Sequence, residues 1–247
     1  MNNDELFDIP AQDSFPEWVN EPIAVFDLET TGLDHRASRI VTACAALIDP
    51  NGVVIGNDRE WLADPGIEIP IEASSVHGIT TQFAKENGVD LRTVVSEILE
   101  TLGGYFRDGI PVVAYNAPYD FTILRNHAEI FGLAWPQELS PIIDPLVIDK
   151  KVDRYRSGKR RLEIVAAHYG VNLDDAHNAT ADAVAAGRIA QAIGKKFASA
   201  LPSTAEELHL AQVGWSKESD LSFADFMRKS GKPDFAVQIG WPEKPLN

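Results

Sequence analysis

The sequence predicts an α/β domain, and three patterns predict it. The apolar run Ile23-Ala24-Val25-Phe26 reads as a strand buried on both faces, which belongs inside a sheet. Residues 39–48 and 52–62 read as two more strands, joined by the turn Asp49-Pro50-Asn51-Gly52, so the three form a meander. Helical spacing then takes over. Residues 91–106 form an amphipathic helix, and an Ala-rich helix from His177 to about Lys196 carries Ala186, Ile189 and Ile193 on one face.

The remaining elements follow in order. The short apolar run Ile110-Pro111-Val112-Val113-Ala114 reads as a strand that passes into a helix, with Asn116 as N-cap and Pro118 in its first turn. Asp144-Pro145 is a second N-cap followed by proline at the first helical position. Residues 161–169 form a short helix stopped by Gly170. Ser203-Thr204-Ala205-Glu206 resembles a capping box for a helix to about Trp215, and a second short helix lies near residues 221–229. The expected organisation is an acidic tail at 1–21, a domain at 22–196 and a helical, aromatic-containing extension at 197–247. Phe15 and Trp18 in the tail can dock on the domain or on a partner.

Asp27 and Glu29 end the first strand. Residues two apart on a strand share a face, so two carboxylates project side by side next to a core. Ionised together and partly out of water, they repel, and a hard divalent cation between them relieves the repulsion. A strand running out into an acidic turn, with Glu29 in solvent, accounts for the pair equally well. Asp120 falls in a first helical turn, where the helix dipole is a sufficient reason for an acid. Asp182 is different, because it lies in line with Ala186, Ile189 and Ile193, and an acid on an apolar stripe needs a buried partner.

Three segments carry these acids: Phe-Asp-Leu-Glu-Thr-Thr-Gly, Tyr-Asn-Ala-Pro-Tyr-Asp and His-Asn-Ala-Thr-Ala-Asp. In that order and setting, the chain resembles the DnaQ-like 3′–5′ exonucleases of the DEDDh branch, over roughly residues 22 to 195. The resemblance implies an RNase H-like fold, a mixed sheet flanked by helices. It implies that Asp27, Glu29, Asp120 and Asp182 converge as catalytic acids and metal ligands, and that His177 is the general base. It implies two Mg²⁺ ions, with Mn²⁺ able to substitute. It also implies substrate contacts at Thr30, Leu33, His77 and Asn116. Thr30 and Thr31 serve equally well as turn formers, and His77 equally well as loop packing.

The implied chemistry suits the residues. Phosphodiester hydrolysis needs an activated water and a stabilised leaving oxygen, which two cations can provide. An imidazole titrates near neutrality, as a general base should. No residue resembles a covalent nucleophile, and Cys44, the single cysteine, lies in an apolar strand run.

Charge first opposes a nucleic-acid partner, since the formal net charge is −15. Residues 150–161, however, hold seven basic residues against one acid, Asp153. Arg160 and Arg161 in this loop are expected to grip phosphates upstream of the cleaved end. The expected partner is nucleic acid with a free 3′ end, single-stranded or frayed DNA first and RNA as the alternative, with a polymerase or other replication protein as a further partner. A catalytically inactive binding subunit and an acidic DNA mimic are the readings from other classes. One cysteine excludes an intrachain disulfide. The chain opens without a basic stretch and apolar run, and lacks an apolar stretch of membrane-crossing length, so a cytoplasmic location is expected.

Overall fold

The computed structural model describes residues 15–173 and 178–246. Strands β1 (Ile23–Thr30), β2 (Ile40–Ile48) and β3 (Val54–Asp64) form the expected antiparallel meander. The turn between β2 and β3 is closed by Gly52 N–H donating to the Asp49 carbonyl, with Gly52 at φ 76°. On one side β4 (Val89–Asp90) joins β3 in parallel; on the other, β5 (Val112–Val113) and β6 (Ile142–Ile143) add in parallel beside β1. The sheet is mixed, in the order β4-β3-β2-β1-β5-β6.

Helices cover both faces. After β3 come α1 (Ile71–His77) and α2 (Thr81–Asn87), then α3 (Leu91–Arg107) and α4 (Ala117–Phe131). They are followed by α5 (Pro145–Val152), α6 (Leu162–His168), α7 (Ala179–Lys196) and α8 (Ala205–Lys229). Ala24, Phe26 and Leu28 pack with Val95, Ile98 and Leu102 of α3 and with Phe121 and Leu124 of α4. Ile23 and Val25 point the other way, with Cys44, Ala46 and Ile48, onto Ala183, Ala186, Ile189 and Ile193 of α7. The strand period of two therefore fixes which layer sees Asp27 and Glu29: it is the α7 side.

α7 lies unusually close to the sheet because of Gly187. A Cβ at that position would stand 2.5 Å from both Val25 Cγ1 and Ile48 Cδ1. Gly194 does the same further along, where Trp18 and Val19 press on the helix. Trp18 and Val19 are buried, and Glu17 N–H donates to the Ser203 carbonyl at 2.9 Å, so the end of the N-terminal segment docks on the domain.

Two elements differ from the sequence expectation. The expected pair of C-terminal helices is one continuous helix, α8, capped by Thr204, which accepts from Glu207 N–H. Gly214 sits inside it; a mid-helix glycine costs about 1 kcal/mol, too little to break a helix packed along one side. The N-cap position of α4 is Asn116 as expected, but its side chain makes no capping bond. Asp144, 28 positions away, accepts from the Asn116 and Ala117 N–H groups instead, at 3.0 Å each. Among the described residues, no helix is long and apolar enough to cross a membrane.

Candidate active site

The site forms where β1 ends beside β5 and under the start of α7. Asp27 and Glu29 leave β1 on one face, opposite Cys44 and Thr42 of β2 in the antiparallel register. Asp182 enters from the first turn of α7, set by the Asn178 side chain, which accepts from Thr180 and Ala181 N–H. One carboxylate oxygen from each of Asp27, Glu29 and Asp182 lies within 4.8 Å of the others. Asp120 comes from the first turn of α4, 2% exposed, and its Oδ1 accepts from Leu28 N–H at 3.1 Å, between the two strand acids. The structure thus brings all four acids together.

Their electrostatics follow from that crowding. Burial pushes the Asp27 carboxyl well above the usual range, and the charges of Asp120, Glu29 and Asp182 push it further. Glu29 is pushed up to about 7, by burial first and Asp182 second. Asp120 is raised too; burial outweighs the Leu28 hydrogen bond that favours its charged form. Burial first and the neighbouring acids second make Asp27, Glu29 and Asp120 resist ionising, and a cation among them would favour their charged forms. The donors are all carboxylate oxygens, which suits a hard divalent cation. Cys44 stands nearby, but burial pushes its thiol up to about 11, so it is a neutral packing group rather than a soft ligand.

The loop after β1 forms one wall. Thr30 is buried, and its hydroxyl donates to the Gly32 carbonyl and meets the Tyr119 hydroxyl. The Tyr119 hydroxyl also lies 2.8 Å from Gly32 O, so the two hydroxyls share their protons among three oxygens, and the His35 ring packs edge-on against Tyr119, centroids 5.8 Å apart. Leu33 stands 86% exposed beside this wall, an unusual place for a leucine. His77 ends α1 and accepts from Ile79 N–H at Nδ1; its buried Nε2 has no hydrogen-bond partner among the described residues. With Thr42, Glu60, Asn178 and Thr180, it lines a cavity of about 380 Å³. Asn116 holds φ 65°, a left-handed conformation that only a few side chains tolerate. His177 lies outside the described residues.

The basic loop divides in two. Arg160 does not face solvent: its guanidinium is spent on Asp149 Oδ2 and on the carbonyls of Asp149, Asp153 and Arg156. Asp149 is fully buried and also takes Arg156 and the Tyr169 hydroxyl, so Arg156 and Arg160 brace the loop from inside. Arg161 is turned outward, its side chain 65% exposed. Alternating charge in a sequence does not reveal which arginine will meet a buried aspartate seven or eleven positions earlier.

Two supporting residues escaped the sequence reading. Tyr119 belongs to the second motif but carried no assigned role; it ties the Thr30 loop to α4. Asp144, assigned only to capping α5, does accept from Leu146 N–H, and also from Asn116 N–H, Ala117 N–H and Trp241 Nε1–H. It is fully buried, and it fixes the turn that delivers Asp120.

Comparison with known proteins agrees with this geometry. The chain is 27% identical over 150 residues to DNA polymerase III subunit epsilon of Rickettsia felis, covering 60% of this chain and 62% of that protein. It is 32% identical over 160 residues to a PolC-type DNA polymerase III of Thermotoga maritima, covering 64% of this chain but 11% of that protein. An exonuclease I structure superposes with a TM-score of 0.62 at 20% identity, over 83% of this chain and 46% of the other. Exonuclease I of E. coli bound to a dA16 oligonucleotide gives 0.58 at 22% identity, over 70% and 40%. The chain spans less than two thirds of each of these proteins. The structural likeness is one of fold, and that fold is RNase H-like. The sequence profile described as Exonuclease (RNase_T) matches residues 24–190, which contain all four acids, and the chain belongs to that family.

Proposed function

We propose that the protein is a metal-dependent 3′–5′ exonuclease that releases nucleoside 5′-monophosphates from a free 3′ end, with single-stranded or frayed DNA as its substrate. The observation that carries this reading is the convergence of Asp27, Glu29 and Asp182 within 4.8 Å, with Asp120 bonded beside them. Asp27, Glu29 and Asp182 would hold one divalent cation, and Asp27 and Asp120 would help place a second. The ions are Mg²⁺, replaceable by Mn²⁺. When bound, such ions acidify water and offset charge on the phosphate and the leaving oxygen.

The chain's own groups do the rest. His177 accepts a proton from the attacking water as its oxygen bonds to phosphorus. The bond from phosphorus to the upstream 3′ oxygen breaks, and that oxygen takes a proton from solvent water. Leu33 offers an apolar surface to the terminal base. Thr30, His77 and Asn116 border the nucleotide, and Arg161 meets a phosphate. The names of the relatives, DNA polymerase III subunit epsilon and a PolC-type DNA polymerase III, support a role beside a DNA polymerase; a cytoplasmic location completes the proposal.

The test uses 5′-labelled single strands of DNA and RNA with Mg²⁺, with EDTA, and with Asp27→Ala. A ladder shortening from the 3′ end, abolished by EDTA and by the substitution, is expected. His177→Ala should slow it by roughly 10²–10⁴-fold, the range for a lost general base. Full activity in Asp27→Ala would refute the site, and the ratio of DNA to RNA rates names the substrate.

A further inference from the structure

The basic loop and the aromatic extension were separate features of the sequence; the fold places them face to face. A groove of about 430 Å³ runs between α5 with its following loop and one side of α8. Trp215, Ser219, Ser222 and Phe226 recur at helical spacing along that side, with Phe223 at its edge. Across from them stand Lys150, Lys151 and Arg154. Lys151 Nζ lies 5.6 Å from the centre of the Trp215 ring and 3.2 Å from Glu218, the one acid lining the groove.

The groove is not finished as a core would be. Phe226 is 63% exposed and Phe223 50% exposed, although both sit on a helix that buries Ala224 and Leu208. Phe223 is held edge-on by Phe235, ring centroids 5.5 Å apart, so it is a fixed surface. Exposed aromatic faces opposite cations form the surface on which a single strand stacks its bases and rests its phosphates. Trp215 and Phe226 are eleven positions apart, or about 16 Å along the helix at 1.5 Å per residue. That is the length of about five stacked nucleotides at ~3.4 Å each. One bond ties the groove wall to the segment that leads to Asp120: Tyr115, directly before Asn116, donates to the carbonyl of Arg160, a lining residue, at 2.8 Å.

We infer that this groove binds the single strand upstream of the cleaved end, with bases on Phe223 and Phe226 and phosphates on Lys150 and Arg154. The charge complement favours this occupant over a protein: the cations gather here in a chain of net charge −15. The inference rests on the exonuclease reading for the identity of the strand. It adds a length requirement, since substrates too short to reach the groove lose its contribution.

The experiment compares wild type, Phe226→Ala and Lys150→Glu/Arg154→Glu on a long single strand of about 30 nucleotides and on a dinucleotide. Base stacking of the strength seen in such grooves gives about a tenfold rise in KM for Phe226→Ala on the long strand. Dinucleotide hydrolysis stays at wild-type rate. The charge variant flattens the log–log salt dependence of long-strand binding by about 1.4, at ~0.7 for each lost phosphate contact on a single strand. Long-strand KM and salt slope equal to wild type overturn the inference and leave the groove to a protein partner. Binding of the labelled long strand is also followed by fluorescence anisotropy in EDTA, where no cleavage enters. If wild type cleaves nothing yet Phe226→Ala still weakens that binding, the groove stands and the exonuclease reading falls; the converse pattern separates them the other way. All substituted side chains are exposed, and circular dichroism confirms the fold.

Discussion

Gly187 shows how a residue without a side chain serves the site. It lets α7 settle onto Val25 and Ile48, five positions after Asp182, and so sets how far that acid reaches toward Asp27 and Glu29. Gly187→Ala places two opposing effects in one substitution. Removing a mid-helix glycine gains about 1 kcal/mol. Forcing a methyl group into a 2.5 Å gap costs about 1–3 kcal/mol, because the helix must lift. The cost should win. The expected result is a melting temperature lower by about 2–4 °C, for a net loss near 1 kcal/mol at this size, together with weakened cleavage from the displaced Asp182. A stable, fully active variant would show that the helix position is not critical. Asp144 acts similarly at a distance, since its carboxylate organises the turn before Asp120 without facing the site.

At the level of elements, α8 completes the sheet. β6 is an edge strand, and its outer polar groups are met by side chains: Ile142 N–H donates to His209 Nδ1, Gln212 Nε2 donates to the Ile142 carbonyl, and Asp144 N–H donates to Gln212 Oε1. His209 can accept only while unprotonated, and burial holds its pKa below the ordinary value near 6.5. Below about pH 6.5 the unfolded chain takes up a proton that the folded chain refuses, so this residue costs stability as pH falls and nothing above that. Asp144, a buried acid, is bonded to the Trp241 indole that packs on His209. Melts followed by tryptophan fluorescence from pH 5 to 8 should show His209→Gln losing less stability on the acid side than wild type. Equal slopes would remove His209 from that account. The same elements mark where the sequence was readable. Long periodic stretches such as β1, α3 and α7 declared themselves. The two-residue strands β4 and β6 did not, because so few residues carry no period. The helices α1 and α2 were missed because, unlike α6 of equal length, they carry no buried stripe: α1 buries no residue and α2 buries Ala84 alone.

At the scale of the whole molecule, the four converging carboxylates oppose the cation-free fold. The clustered carboxylates repel, and Glu29 at about 7 records part of that strain. Without divalent cations, Asp182→Asn should therefore melt higher than wild type, because one repelling charge is gone. With Mg²⁺ the order should reverse. Saturation at 100 times the dissociation constant adds about 2.7 kcal/mol, or about 5–10 °C at this size, to wild type alone. A thermal-shift series with and without Mg²⁺ checks both halves, and a wild type that ignores Mg²⁺ would contradict the metal site. The four acids were legible from their motifs, each in an element that periodicity could place. The interior use of Arg160 was not, since it depends on Asp149 being buried by the packing of α5, α6 and α7, a consequence of tertiary assembly.

The sealing of β6 by His209 and Gln212 also orders events in time. The segment that matches the family ends at residue 190, before the helix that closes the sheet has been made. A nascent chain that has finished its four acids still presents a bare strand edge, able to pair with any extended segment it meets. The last fifty residues therefore act as a stopper: until they fold back, the protein holds its catalytic parts but stays open to self-association.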